Sequence, residues 1–478
     1  MKVALRAYQQ TALDAVRAAY AQGKRAPLLC SPTGSGKTVI FAAITEGAAR
    51  KGKRVLILVH RRELLTQCSR ALDELGEPHG LISPHYKQTN DAVQVASVQS
   101  LARRNILAPD LIVIDEAHHS VAGSYQKTLQ RWSSAKRLGV TATAGRTDGR
   151  GLGDVFDSLI LGPSVAQLIK DGYLSRPIVY APPNTLDIAH IRHRAGEFDA
   201  AASAALLDRA SICGDVISHY KKLCDGKPAI AFCATVAHAH HVAEQFAAAG
   251  LKVAVLDGQT EDALRRGMIR DLGSGALNVL TSCDVVSEGL DVPRVFAAIL
   301  LRPTESTGLF LQQCGRVLRP YPGKPHALIL DHVGNCLRHD MPDADREWTL
   351  DGSKQGKAKG DGDAVQRMKM CHGCYAMNHL WRSNCEQCGH VFEPQRELPK
   401  QVEGELVEVT EAQKRALRWK AKSEVSGART REALQAIAQS RGYKSGWVDF
   451  MLRARAKNKY GGPVAGHITI REMKGEAA

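Results

Sequence analysis

The sequence predicts an α/β protein built on two parallel sheets. Short apolar runs alternate with helix-length segments from residue 1 to about residue 335. Most of these runs are apolar at successive positions, which is typical of parallel strands that helices cover on both faces. The runs also form two groups of five, and each group is large enough for one sheet. The first group comprises 28–30, 55–59, 93–97, 111–114 and 138–141, and the second comprises 229–233, 253–256, 279–281, 297–301 and 327–330.

The chain has 478 residues, more than the roughly 100–200 residues of one domain, so we expect several parts. Pro177, Pro182 and Pro183 lie within 172–194 and should interrupt regular structure where the two sheets join. Residues 351–363 are mostly Gly, Lys and Asp, as in a flexible linker. The predicted parts are two α/β domains (1–175 and 176–340), a flexible linker (341–370), a cysteine module (371–392) and a basic helical tail (405–478).

The chain is basic, with a net charge of +15 and a pI near 9.3. This favours a polyanionic partner, although many basic proteins bind no polyanion. Residues 351–478 carry about half of the excess charge. No run of about 18 apolar residues could span a bilayer, and the N-terminal residues lack the apolar core of a secretion signal. We therefore expect a cytoplasmic protein without a membrane partner.

Residues 31–38 (SPTGSGKT) have the composition of a phosphate-binding loop. They follow a predicted strand and precede a helical segment, so backbone N–H groups and a helix N-terminus can face phosphate oxygens. Ser31 stands where Gly or Ala is usual, but it is also small. Lys37 is expected to reach the terminal phosphates, and Thr38 to offer its hydroxyl to Mg²⁺. The residues expected to bind ATP here are Thr33, Gly34, Ser35, Gly36, Lys37 and Thr38.

Asp115 and Glu116 follow the predicted strand 111–114, at the sheet edge where the phosphate loop should also lie. There Asp115 can hold Mg²⁺, directly or through water, and Glu116 can orient and deprotonate the attacking water. An acidic pair after a strand is common and carries little weight alone. Together with the phosphate loop it predicts an ATP hydrolase, with Lys37, Asp115 and Glu116 as catalytic residues.

These motifs, in this order, resemble those of superfamily 2 helicases of the DEAD/DEAH-box class, and the resemblance covers residues 1 to about 335. It implies two tandem RecA-like domains of the phosphate-loop NTPase type, with one ATP site between them. Residues 5–9 (LRAYQ) look like the family's N-terminal element, in which Gln9 reads the adenine edge and Arg6 lies nearby.

The same resemblance assigns roles in the rest of the first half. Residues 60–67 (HRRELLTQ) and 98–100 (VQS) look like elements that grip the nucleic-acid backbone, whereas 141–143 (TAT) resembles the motif that couples hydrolysis to strand engagement. The implied backbone contacts are Arg61, Arg62 and Gln99, and the implied coupling residues are His118, Thr141 and Thr143.

Two further motifs lie in the second half. Residues 282–291 (SCDVVSEGLD) look like the motif that touches both strand and phosphate, through Ser282 and through Gly289 and Asp291 respectively. Residues 312–319 reproduce the pattern Q-x-x-G-R-x-x-R, in which the family places its arginine fingers. A planar cation from the facing domain suits the charge that spreads over the γ-phosphate oxygens. The resemblance therefore adds Gln312, Arg316 and Arg319 to the candidate catalytic residues.

Within the superfamily, the sequence looks most like the RadD-like, XPB-related branch of bacterial and phage helicases. Residues 301–306 (LRPTES) before the arginine motif, residues 329–335 (ILDHVGN) after it, and the cysteine pairs downstream are similar to that branch. DNA is favoured over RNA by this resemblance alone.

Four cysteines form two C-x-x-C pairs, ten residues apart. Each pair can present two thiolates, and two pairs complete a tetrahedral Zn²⁺ site, which predicts a structural zinc ribbon. Two reactive dithiols are the alternative. Nucleic-acid contact, protein contact and scaffolding all remain open as the role of the ribbon. The zinc ligands are expected to be Cys371, Cys374, Cys385 and Cys388.

The tail contains a predicted basic helix at 411–422 and a predicted helical hairpin at 430–460, with Trp447, Phe450 and Leu452 on a small apolar face. Binding to phosphate backbone and packing of the hairpin on itself are equally compatible with this pattern.

Together these features predict an ATP-dependent DNA helicase that translocates on nucleic acid and unwinds it, in repair, recombination or replication. The expected cofactors are ATP, Mg²⁺ and structural Zn²⁺. The expected partners are a single strand or fork of DNA and, through ribbon or tail, a repair or replication protein. A restriction-type translocase that does not unwind and an ATP-switched nucleic-acid sensor or loading factor remain alternatives.

Overall fold

A computed structural model describes most of the chain, in two compact units that comprise residues 1–394 and 395–478. No described helix is both long enough and apolar enough to cross a membrane. The described residues are 4–84, 86–101, 104–145, 151–181, 193–194, 197–207, 210–283, 291–351, 368–371, 373–379, 381–392, 428, 430–440, 447–449 and 451–452.

The first sheet has seven strands, all parallel. The strands are β1 (Pro27–Cys30), β2 (Val55–Val59), β3 (His79–Ile82), β4 (Val93–Ser97), β5 (Leu111–Asp115), β6 (Lys136–Thr141) and β7 (Ser158–Leu161). Their order is β3-β4-β2-β5-β6-β1-β7. All five strands predicted for this sheet are confirmed. The two that the sequence did not reveal, β3 and β7, lie at the edges of the sheet and are only partly buried.

The second group of strands, which also lies within residues 1–394, forms a mostly parallel sheet and one small hairpin. The strands are β8 (Pro177–Tyr180), β9 (His193–Arg194), β10 (Glu197–Phe198), β11 (Ala229–Cys233), β12 (Val253–Leu256), β13 (Val279–Ser282), β14 (Ala297–Leu301), β15 (Ala327–Asp331), β16 (Met368–Met370) and β17 (Ala376–His379). The sheet order is β12-β13-β11-β14-β15-β8-β17-β16, and β9 pairs with β10 alone. The second predicted group of five strands is confirmed in β11 to β15.

Pro177 corrects the prediction that prolines interrupt regular structure throughout 172–194. It is the first residue of β8, which pairs in parallel with β15. A strand accepts proline at its first position because the missing N–H lies at the end of the ladder. Residues 182–192, which include Pro182 and Pro183, lie outside the described part of the chain.

Helices surround both sheets. They are α1 (Ala7–Ala21), α2 (Lys37–Ala49), α3 (Arg62–Leu75), α4 (Val98–Leu101), α5 (Gly123–Arg131), α6 (Val165–Lys170), α7 (Ala200–Leu207), α8 (Ala210–Cys224), α9 (Val236–Ala248), α10 (Asp262–Ser274), α11 (Thr307–Gly315), α12 (Asn335–His339) and α13 (Arg431–Ser440). A short 3₁₀ turn, Ala117–His119, follows β5.

Strand β2 shows why the first sheet needs helices on both faces. All five of its residues are buried. Val55, Ile57 and Val59 belong to the core that α1, α2 and α3 complete, whereas Leu56 and Leu58 belong to the opposite core, beside α5. Successive side chains of a strand point to opposite faces, so an uninterrupted apolar run must be covered twice.

The segment after α12 corrects the predicted linker, which was placed at 341–370. Met341 is buried in the core of the second sheet, whereas Trp348 and Leu350 pack against the core of the first. The Leu350 carbonyl accepts hydrogen bonds from the Leu152 and Gly153 amides at 2.9 and 3.0 Å. Residues 341–350 are therefore a strap that returns from the second sheet to the first, and apolar contact holds it there. Residues 352–367 lie outside the described part.

The cysteine module is joined to the second sheet. Strand β17 pairs with β8 in the antiparallel direction, Ala376 opposite Tyr180 and Met377 opposite Val179, and β16 pairs with β17. The module thus extends the edge of the sheet.

In the unit 395–478, α13 packs with helical residues at 447–449 and 451–452. Leu434 and Val448 are buried there, with Trp447 and Leu452 against them, and Arg431 pairs with Asp449 at 2.6 Å. The described residues thus form the hairpin packed on itself that the sequence suggested. The predicted helix 411–422 and Phe450 lie outside the description.

Candidate active site

Three neighbouring strands bring the first half of the site together. Strands β5, β6 and β1 are adjacent and parallel, so the residues that follow them meet at one edge of the sheet. Asp115 is the last residue of β5, Thr141 is the last residue of β6, and Ser31 follows β1. The Ser31 amide donates to the Thr141 carbonyl at 2.9 Å.

The phosphate loop has the backbone that its sequence predicts. Gly34 and Gly36 have φ angles of +87° and +79°, a region in which glycine meets no steric penalty. The Ser31 and Ser35 hydroxyls lie 2.8 Å apart, and α2 begins at Lys37. Backbone N–H groups at the start of α2 are thus available to phosphate oxygens.

The Lys37 ammonium is enclosed by the loop and the acidic residues. Its Nζ donates to the carbonyls of Ser31 and Pro32 at 3.0 and 3.2 Å. Burial lowers the pKa of Lys37, whereas the charges of Glu116 and Asp115 raise it. A cation in this position can transfer from the loop carbonyls to the phosphates of a nucleotide.

Asp115 and Glu116 are both buried. Glu116 has a left-handed φ of 47°, and its amide donates to the Asp115 carboxylate at 3.0 Å. His118 Nδ1 lies 3.5 Å from the Glu116 carboxylate and 3.1 Å from the Thr141 hydroxyl. Because the 3₁₀ turn follows β5 directly, it brings His118 back over the carboxylate that precedes it.

The predicted coupling residues form one hydrogen-bonded group. The Thr141 hydroxyl donates to the Thr143 carbonyl at 2.8 Å and accepts from the Thr143 amide at 3.2 Å. His118 completes the group, which joins residues 141–143 to the residue beside Glu116.

Helix α11 of the second sheet contacts this edge at both ends. A Cβ atom added to Gly315 would lie 2.5 Å from Thr33 Cβ, and one added to Gly308 would lie 3.1 Å from the Thr143 hydroxyl. Arg316 follows directly; it is buried, and its charge lowers the pKa of Lys37. The structure therefore brings Arg316 of the second domain beside the phosphate loop.

Arg319 lies one turn further on. Its guanidinium pairs with the Asp291 carboxylate at 2.5 Å. Burial lowers the pKa of Arg319, and the Asp291 charge raises it. Arg319 Cγ would lie 3.8 Å from a Cβ atom on Gly34, so this side chain also borders the loop. Gln312 is buried in α11, and Gly289 lies outside the described residues.

The N-terminal element forms a platform beside the loop. Gln9 Nε2 and the Tyr8 hydroxyl donate to the Ser35 carbonyl at 3.2 and 2.7 Å. The Arg6 guanidinium lies 4.5 Å from the centre of the Tyr173 ring, and the Tyr8 and Tyr173 rings meet edge to face at 5.2 Å. Arg6 and Gln9 were predicted here, whereas the two tyrosines were missed. Tyr8 could have been found within LRAYQ, but no sequence signal marks Tyr173.

The predicted nucleic-acid contacts differ in their surroundings. Gln99 is exposed in α4, and Arg61 Nε donates to His60 at 3.3 Å. The Arg62 side chain lies outside the described part. The Ser282 hydroxyl is buried and donates to the Leu256 carbonyl at 2.8 Å, and the nucleic-acid contact expected of Ser282 stays a prediction. A small hydroxyl at the end of a buried strand satisfies the neighbouring backbone and does not reach solvent.

The four cysteines of the two C-x-x-C pairs converge. Their sulfurs all lie within 4.8 Å of one another, and Cys371–Cys388 and Cys374–Cys385 are each 3.6 Å apart. Tetrahedral Zn–S bonds of about 2.3 Å place sulfurs about 3.8 Å apart. The Gly373 amide donates to Cys371 Sγ at 3.3 Å. The geometry and the donor set fit a closed metal site.

Two family models match the chain. The model of the type III restriction enzyme res subunit matches residues 2–146, which hold the phosphate loop and Glu116. The model of the helicase conserved C-terminal domain matches residues 214–321, which hold Arg316 and Arg319. Both halves of the site thus fall within matched regions.

Similar proteins come from phage, yeast and an archaeon. A 51.5 kDa protein of a Lactococcus phage is 35% identical over 385 residues, or 80% of this chain and 82% of that protein. The putative ATP-dependent helicase IRC3 of Saccharomyces cerevisiae is 31% identical over 354 residues, 69% of this chain and 51% of its own. The DNA 3'-5' translocase XPB2 of Sulfurisphaera tokodaii is 24% identical over 366 residues, 66% of this chain and 79% of its own. This chain therefore spans about half of the yeast relative.

A solved structure shares the fold. The fragment of a putative HsdR subunit of a type I restriction enzyme from Vibrio vulnificus has a TM-score of 0.57 at 23% identity, covering 71% of this chain and 66% of that one.

Two parallel-sheet domains with a phosphate loop on one and paired arginines on the other define a RecA-like motor ATPase. The chain belongs to the superfamily 2 helicases of the DEAD/DEAH-box class, in their XPB-related branch. It is an ATP-hydrolysing enzyme that acts on nucleic acid.

Proposed function

We propose that this chain is an ATP-dependent DNA helicase, which couples ATP hydrolysis to movement along DNA and to strand separation. Residues 1–175 and 176–340 are its two motor domains. The observation that carries the proposal is the contact between α11 and the phosphate loop, at Gly315 and Thr33, which brings Arg316 beside Lys37. Hydrolysis at such a divided site depends on how closely the two domains approach each other.

The chemistry follows from the residues at the edge of the first sheet. Loop amides and Lys37 bind the β- and γ-phosphates, and Gln9 and the Arg6 platform bind the adenine. Glu116 orients the attacking water and takes its proton, while Arg316 and Arg319 stabilise charge on the γ-phosphate oxygens. Thr38 and Asp115 offer the oxygen ligands that Mg²⁺ prefers, and the ion would neutralise charge between the phosphates.

Movement requires that the nucleotide state reach the strand. The His118, Thr141 and Thr143 group contacts Glu116 on one side and Gly308 of α11 on the other. Loss of the γ-phosphate removes the anion that Arg316 and Arg319 share with the loop, so the domains can separate. Alternate approach and separation would carry a single strand past Arg61 and Gln99.

DNA is favoured over RNA by the XPB-related branch and by the name of the archaeal DNA translocase. The net charge of +15 suits either polymer. A role in repair, recombination or replication, with a partner protein on the ribbon or the tail, belongs to the same proposal.

We further propose that Cys371, Cys374, Cys385 and Cys388 hold one structural Zn²⁺. The observed sulfur separations suit a tetrahedral site, and four cysteines leave no open position for catalysis. Burial raises the pKa of Cys385, but backbone N–H groups and the Asn378 amide lower it overall, whereas burial raises the pKa of the neighbouring Cys374.

The test is ATP hydrolysis titrated with single-stranded DNA, duplex DNA and RNA of equal length. The proposal expects DNA to stimulate hydrolysis more than RNA at equal nucleotide concentration, and a forked duplex to be separated only with ATP. Equal stimulation by RNA would overturn the assignment of DNA. Hydrolysis without any stimulation would favour an ATP-switched sensor or loading factor.

A translocase that does not separate strands is the second candidate. The match of residues 2–146 to a restriction enzyme subunit favours it specifically. Displacement of a triplex-forming strand reports movement along duplex DNA, whereas release of the shorter strand of a fork reports unwinding. Triplex displacement without fork separation would establish the second candidate.

A further inference from the structure

Lys324 follows the arginine segment in a tight turn. The Lys324 amide donates to the Tyr321 carbonyl at 3.0 Å, across Pro322 and Gly323. Gly323 has a φ of +77°, and proline followed by a residue with positive φ is the signature of a type II turn. The turn reverses the chain, so the Lys324 side chain extends back towards the segment that carries Arg319.

The Lys324 ammonium lies among four backbone carbonyls. Its Nζ is 3.1 Å from the Pro293 oxygen, 2.6 Å from Val295, 2.6 Å from Val317 and 2.9 Å from Arg319. An ammonium has three N–H bonds, so at least one hydrogen is shared between two oxygens. The carbonyls belong to the segment before β14 and the segment after α11, which the ammonium joins.

These two segments carry the two members of one ion pair. Asp291 lies two residues before Pro293, and Arg319 follows Val317 by two residues. The Asp291 and Arg319 side chains pair at 2.5 Å. The Lys324 ammonium therefore fixes the backbone on both sides of the pair that orients the Arg319 guanidinium.

No carboxylate of the described residues forms an ion pair with Lys324, although the ammonium is largely buried. Burial lowers the pKa of Lys324 to about 7, and the neighbouring charge of Arg319 lowers it as well. The carbonyl oxygens favour the charged form and leave Lys324 available as a cation near neutral pH.

We propose that Lys324 is a positioning residue of the ATP site, which holds the Arg319 segment where the guanidinium meets the γ-phosphate. This rests on the proposed function of Arg319. The role suits lysine because a single point charge on a flexible stem can reach carbonyls of two segments at once. A catalytic cation displaced by about 1 Å can lose about 100-fold in rate, so a structural tie at this point affects chemistry.

The protonation state of Lys324 should control its hydrogen bonds to the four carbonyls. The neutral amine has one N–H fewer and no charge, so the carbonyls lose donors as pH rises through the pKa of the folded enzyme. The charge of Arg319 acts on Lys324 and is itself paired with Asp291, whereas Arg294 of the same loop donates to the Ser274 carbonyl. Bound ATP is anionic and moves the alkaline loss of activity to a higher pH.

The first measurement compares ATP hydrolysis by Lys324→Met and by a matched surface variant, Lys221→Met, with saturating DNA. Lys221 is exposed and contacts one carbonyl, that of Ala249, at 2.9 Å. Lys324→Met should lower kcat about 10- to 100-fold, while KM for ATP stays within about twofold because ground-state binding is kept. Lys221→Met should match the wild type. An unchanged kcat in Lys324→Met overturns the proposal.

A double-mutant cycle separates this role from a general effect on folding. In an Arg319→Ala background, Lys324→Met should lower kcat no further, because the residue through which Lys324 acts is gone. A second loss as large as the first would show that Lys324 acts elsewhere. Wild-type hydrolysis by Arg316→Ala and Arg319→Ala together would instead overturn the divided site itself.

The pH dependence of kcat distinguishes a role of the Lys324 charge from a role of its packing. The wild type should lose kcat on the alkaline side, and Lys324→Arg, which stays protonated, should lack that loss. Thermal unfolding of each variant checks the fold. If Lys324→Met does not fold, the comparison of Lys324→Arg with the wild type decides, and an identical alkaline loss in both overturns the proposal.

Discussion

At the scale of single residues, the central feature is a buried corner that Lys37, Asp115 and Glu116 share. Burial lowers the pKa of Lys37, and the two carboxylates oppose that shift. The ammonium of Lys37 and the two carboxylates thus compensate each other's charge. Removal of Lys37 would leave the buried carboxylates without their cation. In the proposed function, the phosphates of a nucleotide would take Lys37 from the loop carbonyls, whereas Glu116 would face the attacking water.

We predict that Glu116→Gln keeps ATP binding but lowers kcat about 100- to 10,000-fold, because an amide cannot take a proton from water. Lys37→Ala should lose ATP binding as well. Titration with a fluorescent ATP analogue and steady-state hydrolysis distinguish the two effects. Arg50→Ala, which removes an exposed cation at the end of α2, is the control. Rapid hydrolysis by Glu116→Gln would show that Glu116 is not the general base.

At the scale of elements, α11 is a part of the second domain that contacts the phosphate loop of the first. Gly315 permits that contact, since an added Cβ would lie 2.5 Å from Thr33 Cβ, whereas one at Gly258 meets no atom within 4 Å. Gly315→Ala should therefore lower DNA-stimulated kcat about 100-fold, because a methyl group keeps the domains apart. Gly258→Ala should behave as the wild type. Equal activity of the two variants would show that this approach is not required.

The strap at 341–350 is the element that the sequence least suggested. Trp348→Ala removes part of the first domain's core and should lower its stability by about 2 kcal/mol. The measurement is the urea midpoint of the first domain. Trp381→Ala is a matched control because Trp381 is 71% exposed, and it should cost less than about 0.5 kcal/mol. A smaller shift for Trp348 than for Trp381 would contradict the strap's role.

The cysteine module is part of the second sheet, because its strand β17 pairs with β8. We predict one Zn²⁺ per chain by metal analysis, and its loss in Cys385→Ser. Removal by a chelator should lower the melting temperature, since metal binding contributes folding energy to so small a module. Cys283→Ser, outside the cluster, should keep the metal. A chain that purifies without zinc and melts unchanged with chelator would disprove the site.

At the scale of the whole molecule, the sequence revealed the strands that are buried on both faces. The strands β2, β5, β11 and β14 are buried at every position because helices cover them on both faces, and Asp115 at the end of β5 is their one polar residue. The edge strands β3 and β7 are only partly buried, and β3 (HGLI) has only two apolar residues. The strap escaped because its contacts with the first sheet join residues about two hundred positions apart.

In the candidate active site too, some residues could be predicted from local motifs and others only from the structure. Lys37 and Glu116 lie in local motifs whose residue types indicate their chemistry, whereas the role of Arg316 is implied by the resemblance of its motif to the helicase family. Tyr173 and Lys324 act through contacts with distant segments, and neither has a sequence pattern of its own. At Ser282 the motif position predicts a nucleic-acid contact, whereas the structure shows a buried hydroxyl that donates to the Leu256 carbonyl.

If one ATP site is divided between two domains, hydrolysis must depend on Arg316, and Arg316→Ala measures that dependence. Arg316 is buried beside Lys37 although it belongs to the second domain. Single-turnover hydrolysis with saturating DNA should fall about 1,000-fold or more, while ATP binding and the melting temperature stay near those of the wild type. Hydrolysis by Arg316→Ala at the wild-type rate would contradict the divided site.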